Sequence, residues 1–226
     1  MAERLLEVKD LRAGFATPEG FVRAVDGVSF EIRRGEVLGL VGESGCGKTV
    51  TALTLLRLLP RPPAVIEGGQ ALFHGRDLLT MPTEELRTIR GGKIGMIFQE
   101  PMTALSPLHR IGDQLAETAR LHRRLSAAEA WALGLEWLKR VGLPDAAQRM
   151  KDYPHQLSGG MRQRVMLAMT MLPEPELIIA DEPTTALDVT IQDQIFDLLL
   201  KLRGGETAVL LITHDMGVVW EVCDRV

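Results

Sequence analysis

The chemistry open to this chain gathers in four short features, and the first is Gly42-Glu-Ser-Gly-Cys-Gly-Lys-Thr49. This glycine-rich turn leads from an apolar run, Val37-Leu-Gly-Leu-Val41, into a helix-forming stretch, Val50 to Leu59, so unpaired backbone N–H groups converge on a polyphosphate. Gly42, Gly45 and Gly47 admit backbone angles and a close approach that a Cβ obstructs, Lys48 neutralises terminal phosphate charge, and the Thr49 hydroxyl is a ligand for Mg²⁺. Binding of a nucleoside triphosphate is predicted. The second feature, Asp181-Glu182, follows the apolar run Leu177-Ile-Ile-Ala180, and ligands of open parallel sheets bind at the carboxyl ends of such strands. Asp181 is expected to hold Mg²⁺ through water, and Glu182 to polarise the water that attacks the γ-phosphate.

Gln99 and His214 form the third feature, each closing an apolar strand, Lys93-Ile-Gly-Met-Ile-Phe98 and Ala208-Val-Leu-Leu-Ile212 respectively. A neutral amide can orient a water or complete a Mg²⁺ shell, and an imidazole can hydrogen-bond a γ-phosphate or a neighbouring carboxylate. In isolation, either is an ordinary polar strand terminus. The fourth feature, Leu157-Ser-Gly-Gly-Met161, precedes an apolar-rich helix, Arg162 to Leu172. Ser158, Gly159 and Gly160 thereby open a second exposed helix N-terminus suited to phosphate, although the same turn serves many proteins as an N-cap alone.

The elements that must position these groups read as α/β. Short strands, Leu6-Glu-Val-Lys9 and Val28-Ser-Phe-Glu-Ile32, flank the turn-rich Thr17-Pro-Glu-Gly20, and Gln70-Ala-Leu-Phe73 supplies another. From Pro101 to Leu172 the pattern turns helical: Ser126 with Glu129 makes a capping box, Leu133, Trp137 and Val141 share a face, and Gly142 ends the run. Alternation then resumes. Ile191, Ile195, Leu198, Leu199 and Leu202 recur at helical spacing, Gly204-Gly205 stops that helix, and strands alternating with helices imply a mostly parallel sheet covered on both faces.

With 226 residues the chain can bury a sizeable core, and it reads as one composite domain. A formal net charge of −4 and a pI near 5.8 give no sign of a nucleic-acid binder, which usually requires a basic face, and Arg120, His122, Arg123 and Arg124 read as a solvated helix face. No nucleic-acid partner is expected. Cys46 and Cys223 lack metal-ligand spacing, and a cysteine inside a phosphate loop suits a reducing, cytosolic compartment. No apolar segment approaches the roughly 20 residues that span a bilayer, so action at a membrane requires a partner to supply the span.

Together these motifs resemble the ATP-binding cassette ATPases, from about Leu5 to Val226. Gly42 to Thr49 matches the Walker A loop, Gln99 the Q-loop, Leu157 to Met161 the signature motif, Leu177 to Glu182 Walker B, Ala186-Leu-Asp188 the D-loop and His214 the switch histidine, in family order. The resemblance implies a P-loop NTPase core with a mostly parallel sheet, an N-terminal antiparallel β subdomain and an inserted helical subdomain. The boundaries are 1–100 and 173–226 for the core and 101–172 for the insertion. It implies ATP and Mg²⁺ as cofactors, with Gly42, Glu43, Ser44, Gly45, Cys46, Gly47, Lys48, Thr49 and Val50 on the nucleotide. Ser158, Gly159, Gly160 and Asp188 would join from the signature motif and D-loop. Catalysis falls to Glu182, His214, Gln99 and Lys48, and the metal to Thr49, Gln99 and Asp181. An aromatic ring stacks on adenine in this family, for which Phe15 is the better match and Phe21 a competitor. A head-to-tail dimer is implied, each ATP lying between one subunit's Walker A loop and the other's signature serine.

Within the family, Phe98-Gln-Glu-Pro-Met-Thr-Ala-Leu-Ser-Pro107 and Leu157-Ser-Gly-Gly-Met-Arg-Gln-Arg164 resemble the oligopeptide and dipeptide importers, a group that includes nickel uptake systems. Met161 departs from the wider family's glutamine and agrees with this group. Members usually continue beyond the equivalent of Val226, so a shortened C-terminus is expected. The implied partners are membrane-spanning permease subunits, a second ATPase subunit, identical or related, and an extracytoplasmic substrate-binding protein. The implied location is the cytoplasmic face of the membrane. Two alternatives stand beside this reading: a soluble cassette ATPase of DNA repair or translation, and a regulatory module that binds nucleotide without turnover. The first usually carries a coiled-coil insertion or a second cassette, and the second would lose Glu182 or His214, both of which are present.

Overall fold

The computed structural model describes residues 3–100, 104–183 and 189–226. Its elements begin β1 (Arg4–Thr17), β2 (Gly20–Arg33), β3 (Val37–Val41), α1 (Lys48–Leu55), β4 (Ala64–Phe73), β5 (Arg76–Asp77), α2 (Thr83–Ile89) and β6 (Ile94–Ile97). They continue α3 (Ile111–Arg123), α4 (Ala127–Arg140), α5 (Ala146–Arg149), a 3₁₀ turn (Pro154–Gln156), α6 (Gly159–Met171), β7 (Leu177–Asp181), α7 (Val189–Leu202), β8 (Ala208–Thr213) and α8 (Met216–Val222). Two compact units result, Met1–Arg90 with Ala208–Val226, and Gly91–Thr207.

In the first unit an antiparallel sheet runs in the order β2-β1-β4-β5. Strands β1 and β2 are each 14 residues long, where the sequence pattern predicts two short ones. The reason is visible in the pairing: register shifts at Val8/Leu11, Leu11/Arg12 and Ala13/Gly14 break the in-out alternation without ending the ladder. The predicted turn is present, with the Thr17 hydroxyl donating to the Gly20 carbonyl at 2.7 Å. In the same unit β3 and β8 pair in parallel, from Val37 opposite Val209 to Val41 opposite Thr213. All six residues of β8 are buried, as a strand covered on both faces requires. Residues 224 and 225 also bond to β3: Gly39 N–H donates to the Arg225 carbonyl at 2.8 Å, and Val37 N–H to the Asp224 carboxylate at 2.8 Å.

Helix α1 stops at Leu55, short of the predicted Leu59. Arg57 adopts a φ of +51°, and Arg90 caps the exit by donating to the Leu56 carbonyl at 2.6 Å and the Arg57 carbonyl at 2.8 Å. A side chain 33 residues downstream therefore ends the helix, and no local stop signal announces it.

The second unit pairs β6 with β7 in parallel, Ile94 opposite Leu177 through Ile97 opposite Ala180, and β7 is buried along its whole length. The helices α3 to α6 follow the predicted helical stretch. The capping box at the start of α4 is formed, with Ser126 N–H donating to Glu129 Oε2 at 2.9 Å and Glu129 N–H donating to Ser126 Oγ at 3.4 Å. Trp137 and Val141 are buried, and Leu133 is half-buried on the same face. Among the described residues no helix is long and apolar enough to cross a membrane.

Candidate functional site

The phosphate loop is built between the carboxyl end of β3 and the N-terminus of α1, where a parallel strand hands the chain to a helix whose first N–H groups lack intrahelical partners. Gly47 makes the junction: its φ is +98°, and a Cβ there would sit 2.2 Å from the Ala24 carbonyl of β2. No side chain fits. Lys48 is 8% exposed and donates to the carbonyls of Gly42 at 2.7 Å and Glu43 at 2.9 Å, with Cys46 Sγ 3.8 Å away. The ammonium is thus folded back inside the ring formed by its own loop, while Glu43, Ser44, Gly45, Cys46 and Thr49 face solvent and Val50 is half-buried. A run of exposed loop residues around one held cation suits an anion.

His214 lies just past β8 and is exposed. Its turn is fixed by the residues on either side, since the Asp215 N–H donates to Thr213 Oγ1 at 3.0 Å and the Asp215 carboxylate accepts from Gly217 N–H at 2.8 Å. Of the two aromatic candidates, Phe15 pairs across the hairpin with Val22 and is half-buried. Phe21 is 43% exposed, and its ring lies where a Cβ on Gly14 would be, 2.6 Å from Phe21 Cζ. Both rings are on the same hairpin as Ala24, whose carbonyl abuts Gly47.

In the second unit Asp181 ends β7 at 3% exposure, and Glu182 follows with a φ of +42°, a left-handed conformation that costs a residue with a Cβ. Gln99, just past the parallel neighbour β6, donates its amide to Glu182 Oε2 at 3.2 Å. Two groups separated by 83 positions in the chain are therefore brought together at the carboxyl edge of one strand pair. Within this unit Asp181 and Gln99 each carry a side-chain oxygen, the donor chemistry of a hard cation such as Mg²⁺, and in the first unit Thr49 carries a hydroxyl of the same kind. Ser158 is exposed and caps α6, accepting from Met161 N–H at 3.4 Å, with Gly159 exposed and Gly160 half-buried. Asp188, with the rest of the predicted D-loop, lies outside the described residues.

Several polar residues with clear tasks escaped the sequence reading. Gln114, 7% exposed on α3, accepts from Ser106 N–H at 2.9 Å and donates to the carbonyls of Ser106 at 3.0 Å and His109 at 2.9 Å, holding the turn that precedes its helix. Gln163 on α6 is 2% exposed and donates to the Pro183 carbonyl. The predicted solvated face on α3 is partly engaged as well: Arg123 pairs with Glu174 at 2.6 Å, and burial lowers the His122 pKa. Gln114 stands in no motif, and the segment Leu157–Arg164 that contains Gln163 assigns that side chain no partner, so only burial could have flagged these roles.

A family model described as ABC transporter matches residues 25–185. The probable peptide ABC transporter ATP-binding protein y4tR of Sinorhizobium fredii is 54% identical over 226 residues, covering 100% of this chain and 68% of that protein. The oligopeptide transport ATP-binding protein OppD of Salmonella typhimurium is also 54% identical, over 100% of this chain and 67% of its own length. Among solved structures, the dimeric bacterial ABC transporter cassette MJ0796 superposes with a TM-score of 0.81 at 30% identity, covering 95% of this chain and 90% of that one. A post-hydrolysis dimer of the same cassette, bound to ADP and Pi, gives a TM-score of 0.82 at 29% identity, over the same shares.

Proposed function

The chain belongs to the ABC transporter family, and from that premise we propose that it is the ATP-hydrolysing subunit of a peptide importer. The observation that carries the chemical part is the contact between Gln99 and Glu182, an amide and a carboxylate set side by side just past the ends of two paired parallel strands. In this reading Lys48 and the backbone N–H groups of Gly42–Val50 hold the triphosphate, and Phe15 stacks on adenine. Glu182 takes the proton of the attacking water, Gln99 orients that water, and His214 hydrogen-bonds the γ-phosphate. Thr49, Gln99 and Asp181 would hold Mg²⁺, which supplies charge neutralisation on the phosphate oxygens when bound.

The assignment of peptides as cargo draws on the names of the relatives, two of which are a peptide and an oligopeptide transport protein. Permease subunits supply the membrane span and hold this subunit at the cytoplasmic face, with a separate binding protein delivering substrate from outside. We take residues 1–226 as one cassette, with 101–172 as its helical insertion. Two cassettes pair head to tail, so that Ser158, Gly159, Gly160 and Asp188 of one complete the nucleotide site of the other. Purification of the intact complex through a tag on this chain, followed by mass spectrometry of its companions and uptake of a labelled oligopeptide into cells with and without Glu182→Gln, tests the reading. Uptake that survives the substitution, or companions lacking any permease, would overturn it.

A further inference from the structure

Three consecutive residues of α6 donate to carbonyls in three different segments of the second unit. Arg162 Nε donates to Pro154 O at 2.9 Å, Gln163 Nε2 to Pro183 O, and Arg164 Nη1 to Val141 O at 2.6 Å. The middle bond differs from its neighbours in burial and in what it holds. Gln163 is 2% exposed and is followed by the buried Val165, Met166, Leu167 and Ala168, so its amide is costly there unless paired. The carbonyl it has found belongs to the residue directly after Glu182.

Glu182 needs such an anchor. Its φ of +42° is disfavoured by about 1 kcal/mol or more for a residue with a Cβ, and such conformations persist only where the surroundings impose them. Asp181 on one side is the buried last residue of β7, Gln99 holds the carboxylate at 3.2 Å, and Gln163 holds the peptide on the other side. We infer that Gln163 is a positioning residue for ATP hydrolysis: by gripping the Pro183 carbonyl it keeps Glu182 left-handed and aims its carboxylate, and it ties that carboxylate to the helix that Ser158 opens. Gln163 lies little more than one turn beyond Ser158, so movement of this helix end is passed to the peptide following Glu182. The inference rests on Glu182 being the base.

The test replaces Gln163 with Met, which matches its length but cannot donate, and separately with Glu, in the full chain purified with its companions. Loss of the grip misplaces the base, so kcat should fall about 10- to 100-fold in Gln163→Met while nucleotide affinity, read with a fluorescent ATP analogue, stays within about two-fold. In a Glu182→Gln background the Met substitution should add nothing, because the group it positions has gone. Burial raises the pKa of the carboxyl in Gln163→Glu, and once protonated it regains an O–H donor. Its rate relative to wild type should therefore rise as pH falls from about 8 to about 6, whereas the Gln163→Met ratio stays flat. A kcat within about two-fold of wild type, a parallel loss of kcat and affinity in step with thermal unfolding, or a flat Gln163→Glu ratio overturns the inference. Should Gln163→Met fail to fold, the pH series on Gln163→Glu decides alone. Normal turnover in Glu182→Gln would instead remove the assignment of the base, a different failure from normal turnover in Gln163→Met.

Discussion

The phosphate loop and the Glu182 turn are both strand-to-loop junctions, yet they are held by opposite means. Lys48 is bound by carbonyls five and six positions away, and the loop's shape follows from its own glycines. Glu182 is held from afar, by Gln99 across 83 positions and through Pro183 by Gln163 across 20. A self-contained loop can bind before its surroundings are in order, whereas a remotely held carboxylate is correct only when several elements are in place. Binding and turnover should therefore separate cleanly under mutation.

The largest separation is expected from Glu182→Gln. The amide keeps the size of the carboxylate and cannot take a proton, so hydrolysis should fall by about 100-fold or more, with ATP affinity unchanged within about two-fold. Steady-state rates and equilibrium nucleotide binding, measured on the same preparations, check this. A loss of binding that matched the loss of rate would erase the distinction between the two regions.

Ser158→Arg sharpens the comparison from the other helix N-terminus. An arginine there removes the cap on α6 and adds positive charge where the helix dipole is already positive, while leaving the loop around Lys48 intact. Nucleotide binding to the monomer should persist. ATP-driven dimerisation, followed by size-exclusion chromatography in a Glu182→Gln background, should be lost, and turnover in the otherwise native chain should drop about 10-fold or more. Undiminished dimerisation would take the signature motif out of the nucleotide site.

Lys48→Ala is expected to act in the reverse sense to Glu182→Gln. A charge-assisted contact to phosphate is worth about 1.5 to 3 kcal/mol, so ATP affinity should weaken roughly 10- to 100-fold. Because the ammonium also bridges the Gly42 and Glu43 carbonyls, the substitution should loosen the loop, and hydrogen exchange of residues 42–47 should speed up. Unaltered affinity and exchange would mean that the loop neither needs nor uses its lysine.

What could be read in the sequence divides along the same line. Short-range features, such as the loop with its glycines, the Ser126–Glu129 box and the helical spacing that buries Ile195 and Leu199, were legible because each depends on residues a few positions apart. The length of β1 and β2 was not, because bulges hide alternation, and the early end of α1 was not, because Arg90 imposes it from 33 positions away. Of the candidate residues, the types and order of Gln99, Asp181, Glu182 and His214 were visible. The left-handed turn at Glu182 and the grip of Gln163 were not, since neither leaves a pattern in composition or spacing.

The smallest effect should come from Ser126→Ala, which sits in the same unit as Glu182 but belongs to the short-range class. Its hydroxyl accepts from Glu129 N–H at 3.4 Å and donates to Glu129 Oε2 at 2.6 Å, and that local pairing fixes the start of α4 without reaching β7. Losing such a cap costs about 1 kcal/mol, and for a chain of this size the melting temperature should fall by about 2 to 4 °C. Turnover and nucleotide affinity should both stay within about two-fold of wild type, because Trp137 and Val141 keep α4 packed through its buried face. Calorimetry and steady-state kinetics on one preparation check the pair of outcomes. An unchanged melting temperature would mean the box adds no stability, and a large fall in kcat would mean that capping in the helical segment reaches Glu182 after all, blurring the line between the locally built and the remotely held parts of this cassette.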